Sequence, residues 1–89
     1  MNQEKLRADL QALHNELKSA NNLDAEQRKL LQRLADDIET MLGRYENQKE
    51  EYRGLGKQLR EAIAQLEASH PSVTLLMRQV IDSLSFLGI

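Results

Sequence analysis

DAEQRKLLQRLADDIETMLGRYENQKEEYRGLGKQLREAIAQLEAS, residues 24–69, is the stretch on which the fold turns. With Leu31 at heptad position a, the a series runs Leu31, Ile38, Tyr45, Tyr52, Leu59 and Leu66. The d series runs Leu34, Met41, Gln48, Leu55 and Ala62. Alternating steps of three and four place these residues on one side of a helix, as a single apolar seam. The seam weakens between Arg44 and Gly56, where Tyr45 and Tyr52 bracket Gln48. Gly54 and Gly56 each cost about 1 kcal/mol relative to Ala in a helix, yet they leave the heptad phase unshifted. The unshifted phase favours one continuous helix over 24–69, about 70 Å long at 1.5 Å per residue. The paired glycines allow a break near 54–56 instead, and a broken chain could fold back as a compact four-helix unit.

The flanking segments supply cover for this seam. Residues 3–20 form the first helix, with Leu6, Leu10, Leu13 and Leu17 at steps of four, three and four. His14 lies beside that row and reads as a partly exposed helix histidine. Asn21-Asn22-Leu23 breaks the helix, because Asn tolerates left-handed geometry. Asp24 then caps the next helix, and Gln27 completes a capping box. So short a connection sets the first helix antiparallel to the start of the second. At the other end, His70-Pro71 stops the long helix and starts a new one over 71–87. Its core stripe is Val73, Leu76, Met77, Val80, Leu84 and Leu87. Gly88 suits the left-handed position after a helix, and Ile89 falls where a Schellman motif returns an apolar contact to Leu84.

The expected class is all-α: an antiparallel helical hairpin with a long heptad-patterned central helix and a C-terminal helix. Residues 1–89 are expected to form a single helical domain, coiled-coil-like or four-helix-bundle-like, completed by dimerisation. A core with two Tyr and one Phe is thin, and small cores supply only roughly 3–5 kcal/mol. The chain has no Cys, which removes disulfides and thiolate chemistry. A net charge of −2 gives no general attraction to nucleic acid or anionic lipid. Met1–Asp9 is polar, unlike a signal peptide, and no apolar run reaches the roughly 18 residues of a membrane span. The expected location is the cytoplasm, with no membrane contact.

Leu66-Glu67-Ala68-Ser69-His70-Pro71, with the apolar helix ending in Leu87-Gly88-Ile89, carries a resemblance. Leu13-His14-Asn15-Glu16-Leu17 and Asp36-Asp37-Ile38-Glu39 add to it. Over nearly its whole length the chain resembles a family of short bacterial helical proteins described only as domain of unknown function 4404. Two departures stand out. Leu66 replaces the family's usual Phe, and Arg44–Arg53 is charged and helix-prone where relatives often have a looser, proline-containing linker. Some relatives carry a chromosome-partitioning label. This chain has no Gly-rich phosphate loop with Lys and Ser/Thr, so it is no partitioning ATPase by itself. The resemblance implies a fold and no activity.

Four features invite chemistry. Glu67-x-x-His70 has the spacing of a di-iron ligand pair, but such sites need two such motifs and two further Glu. It reads instead as a helix boundary, with Glu67 near the His70 imidazole. Asp36, Asp37 and Glu39 sit on outer and flanking helical positions, where Arg33 can pair with Asp37; a general acid–base pair needs a shielded cleft. Arg53, Lys57 and Arg60 share an outer stripe that could follow a phosphate backbone, although Glu50 and Glu61 flank it. Leu75 and Phe86 lie opposite the core stripe of the last helix, with Gln79 and Asp82. Together with Tyr45 and Tyr52 they are the candidate self-association residues.

The expected function is a non-enzymatic helical self-association or protein-interaction module, a homodimer with room for another protein partner. No catalytic, metal or cofactor residues are expected. The alternative is an accessory nucleic-acid-binding or chromosome-segregation factor acting through Arg53, Lys57 and Arg60, though nucleic acid is the less favoured partner.

Overall fold

A computed structural model describes residues 2–44 and 47–89, all helices and turns. Four helices follow one another: α1 Asn2–Ser19, α2 Ala25–Leu42, α3 Lys49–Leu66 and α4 Pro71–Phe86. They run up, down, up and down in a closed ring. α1 packs on both α2 and α4, α3 packs on α4, and α2 and α3 share the thinnest of the four interfaces.

The capping signals in the sequence act as read. Gln27 N–H donates to Asp24 Oδ1 at 2.8 Å, and Asp24 N–H donates to Gln27 Oε1 at 3.1 Å. Asn22 takes the left-handed turn position at φ 57°. Pro71 opens α4. At its end Ile89 N–H donates to Leu84 O at 3.1 Å and Gly88 N–H to Ser85 O at 3.0 Å. That pair of bonds is a Schellman motif, with Gly88 at φ 79° where a Cβ would be strained.

The expected continuous helix over 24–69 is two helices. The break lies between Leu42 and Lys49, not near 54–56. Three physical causes are visible. Gly43 ends α2 with little helical preference of its own. The carbonyls orphaned at that end find side-chain donors. Arg7, reaching from α1, donates to Leu42 O at 2.5 Å and Arg44 O at 3.2 Å, while Asn47 Nδ2 donates to Met41 O at 2.9 Å. Turning back also lets the two halves of the seam share one core. Leu31, Leu34, Ile38 and Met41 of α2 and Leu55, Leu59, Ala62 and Leu66 of α3 are all buried. The molecule measures 35 × 21 × 19 Å, half the length of the rod that an unbroken helix would need.

Heptad phase could not locate this break, because each helix keeps its own apolar face toward the same centre. The ring also supplies from one chain the four-helix section that a dimer was expected to complete. The seam therefore needs no second copy to cover it.

Both glycines blamed for a break are helical. Gly56 faces α4, and a Cβ there would sit 3.6 Å from Leu84 Cδ1, an ordinary contact. Gly54 is exposed, and a Cβ there would meet nothing within 4 Å. Gly54→Ala should therefore stabilise the fold by about 0.5–1 kcal/mol through the unfolded chain alone. A thermal melt should rise by roughly 2–8 °C; a fall would place Gly54 outside a helix.

Candidate functional site

α4 is amphipathic because its apolar residues recur at helical spacing. Val73, Met77, Val80 and Leu84 are buried in the ring. About 180° away, at 100° per residue, the stripe Leu75, Gln79, Asp82, Phe86 points outward. All four are exposed. Leu75 is 56% exposed and Phe86 74%, where every other large apolar side chain among the described residues is at least half covered.

The flanks of this stripe are fixed by polar contacts. Arg78 Nη2 lies 3.1 Å from Glu67 Oε2, a half-exposed ion pair that ties α4 to the end of α3. On the α1 side, Asp9 Oδ2 accepts from Ser83 Oγ at 2.5 Å and pairs with Lys5 Nζ at 3.1 Å. Lys5, Asp82, Ser83 and Phe86 border a shallow hollow of about 220 Å³. That is below the roughly 300–1,000 Å³ of small-molecule pockets, so the hollow suits an inserted side chain better than a metabolite.

The other self-association candidates lie off this stripe. Tyr52 is half-buried against the core, and its hydroxyl accepts from Asn47 Nδ2 at 3.3 Å. Its bond helps hold the α2–α3 turn. Tyr45 lies outside the described residues. Arg53, Lys57 and Arg60 are exposed along α3, and among the described residues no ion pair engages them. Lys57 borders a groove between α2 and α3 with Arg33 and Glu61.

The remaining polar candidates do not converge. Glu67 turns to Arg78 and not to His70. His70 Nε2 donates to Asn21 O at 2.9 Å, and its Nδ1 accepts from Ser69 Oγ at 2.8 Å. A carbonyl can only accept, which assigns the Nε2–H tautomer to the neutral ring. His70 thus clasps the α3–α4 turn to the α1–α2 turn. Asp36 and Glu39 are exposed and Asp37 is half-buried. Among the described residues no three His, Asp or Glu gather closely enough to hold a metal, and no helix is long and apolar enough to cross a membrane.

Two contacts were not legible in the sequence. His14, expected to be partly exposed, is buried at 9%, and neither ring nitrogen has a hydrogen-bond partner. Its Nε2 lies 3.8 Å from Glu39 Oε2 across the α1–α2 interface. A narrow Leu6–Leu17 row gives one buried face, but α1 sits between α2 and α4 and buries two. The Asp9–Ser83 bond joins residues 74 apart, and no local pattern announces it.

Residues 6–89 match a family described as domain of unknown function, DUF4404. The chain belongs to the DUF4404 family. No curated protein and no solved structure matches it. The His70 clasp falls within the matched region, as does the whole exposed stripe of α4.

Proposed function

We propose that this DUF4404 chain is a non-catalytic helical interaction module of the bacterial cytoplasm, which associates through the outer face of α4, in the first place with itself. One observation carries the reading. The ring closes its core within one chain, and still leaves Leu75 and the only Phe of the sequence outside it. Scattered single apolar residues are ordinary on a surface. Two large ones on one stripe of one helix, beside a hollow sized for a side chain, match the anchor-and-recess pattern of interface centres.

Covering a Phe or a Leu is worth about 1.5–3 kcal/mol each, and a two-fold contact uses each twice. Leu75→Ser with Phe86→Ser should therefore weaken self-association by about a hundredfold or more. Folding should hardly change, since exposed substitutions shift stability by roughly 0.5 kcal/mol or less. Sedimentation equilibrium of parent and double variant, with circular dichroism as the folding control, is the measurement. A parent that stays monomeric at hundreds of micromolar, or a double variant that associates as tightly, overturns the reading.

Arg53, Lys57 and Arg60 support the nucleic-acid alternative less well. They are exposed together, but three cations neutralise only about three phosphates, on a chain whose net charge is −2.

A further inference from the structure

The exposed stripe of α4 is its own complement when read backwards. Leu75 and Phe86 stand at equal distances from a point between residues 80 and 81, and so do Gln79 and Asp82. Arg78 and Asp82 flank nearly the same point. We infer that two copies of this chain pair antiparallel along α4, about a two-fold axis crossing the helix between Val80 and Ile81. This rests on the self-association reading above and adds its register.

The geometry follows from helix parameters. At 100° per residue, Leu75, Gln79, Asp82 and Phe86 span about 60° of the helix surface, centred opposite the core. An antiparallel partner related by a two-fold axis then sets Leu75 against Phe86 of the second copy, and Phe86 against Leu75 of the second copy. Such a contact is isologous: each residue meets its counterpart's partner twice.

The charges fit the same axis. Arg78 and Asp82 are the only charged residues of α4. Both lie on one flank of the stripe, Arg78 about 60° and Asp82 about 20° from Leu75. A two-fold axis across the helix keeps that flank on the same side in both copies. Arg78 of one copy therefore comes level with Asp82 of the other, within about 1.5 Å along the axis. Asp82 is exposed and, among the described residues, in no ion pair. Arg78 already holds Glu67, yet a guanidinium presents five donors and can hold a second carboxylate beside the first. A parallel two-fold pairing would instead place this flank on opposite sides of the interface in the two copies and bring no opposite charges together, so the sequence of the face favours the antiparallel form.

Charge exchange tests the register. Asp82→Lys should weaken self-association about tenfold at low salt, because it sets cation against cation twice. Adding Arg78→Glu to the same chain restores opposite charges across the axis and should bring association back to within about threefold of the parent. Parent and doubly exchanged chains, mixed with different fluorophores, should sort into like pairs, since every mixed pair opposes like charges. Failure of the double exchange to restore association overturns the inference, as does mixing of the two chains without sorting, which means that Arg78 and Asp82 do not meet across the axis. If Leu75→Ser with Phe86→Ser separates the copies while Asp82→Lys has no effect, the register falls and the interaction reading stands. A monomeric parent removes both.

Discussion

Leu34→Asp is expected to cost more than 3 kcal/mol, enough to unfold a large fraction of the chain. Leu34 sits on α2 with none of its surface exposed, among the leucines that the ring encloses. A carboxylate there would be cut off from water with no cation in the surrounding leucine core, and an uncompensated buried charge costs about 3–5 kcal/mol. Losing the leucine contacts adds the cavity and transfer terms of a core truncation. The whole domain holds only about 5–15 kcal/mol, and a small core lies toward the bottom of that range. Chemical denaturation followed by circular dichroism measures the cost directly. The same substitution at exposed Leu75 is the control and should change folding by about 0.5 kcal/mol or less. A Leu34→Asp unfolding free energy within about 1 kcal/mol of the parent would mean that the seam does not face the core.

Spin labels at Arg33 and Lys57 should read a separation below about 20 Å, where an unbroken helix would hold these positions about 36 Å apart at 1.5 Å per residue. Both residues border the groove between α2 and α3, so the two labels sit on neighbouring, antiparallel helices. The chain has no native cysteine, so the two introduced thiols are the only labelling sites. Both are exposed, and neither contributes to the enclosed core. A dipolar distance near 36 Å would restore the long helix and remove the closed ring with it. A short distance would leave Gly43 and the Arg7 cap as the cause of the turn.

Local patterns made most of the helices readable. Asp24 with Gln27, Pro71, Asn22 and the Gly88-Ile89 ending each carry their own geometry, and each lies where that geometry is needed. The turn after Leu42 was not readable, because its decisive partner is Arg7, which lies 35 residues away in the chain. Heptad phase reports which face is apolar, not whether the helix carrying it continues. Leu75 and Phe86 were legible as outward residues because helical angle alone puts them opposite Met77 and Leu84. Tyr52 was less so: its place in the heptad suggests an interface, while its hydroxyl is spent on Asn47. His14 shows the opposite failure. A polar residue beside a leucine row looks like surface until a third helix covers it.

The broad α1–α4 contact carries a consequence for the order of synthesis. Ser83 meets Asp9 across 74 positions, and α4 leaves the ribosome after α1, α2 and α3. An α1–α2 hairpin can form early, since only a short turn separates its helices. Until Pro71–Phe86 emerges, the side of α1 that will meet α4 has no helix to pack against. Closing so long a loop is entropically slow relative to forming the hairpin. During that interval the leucines of α1 are the surface most open to wrong partners, and a nascent chain stalled before residue 71 would present them to any chaperone that binds exposed aliphatic side chains.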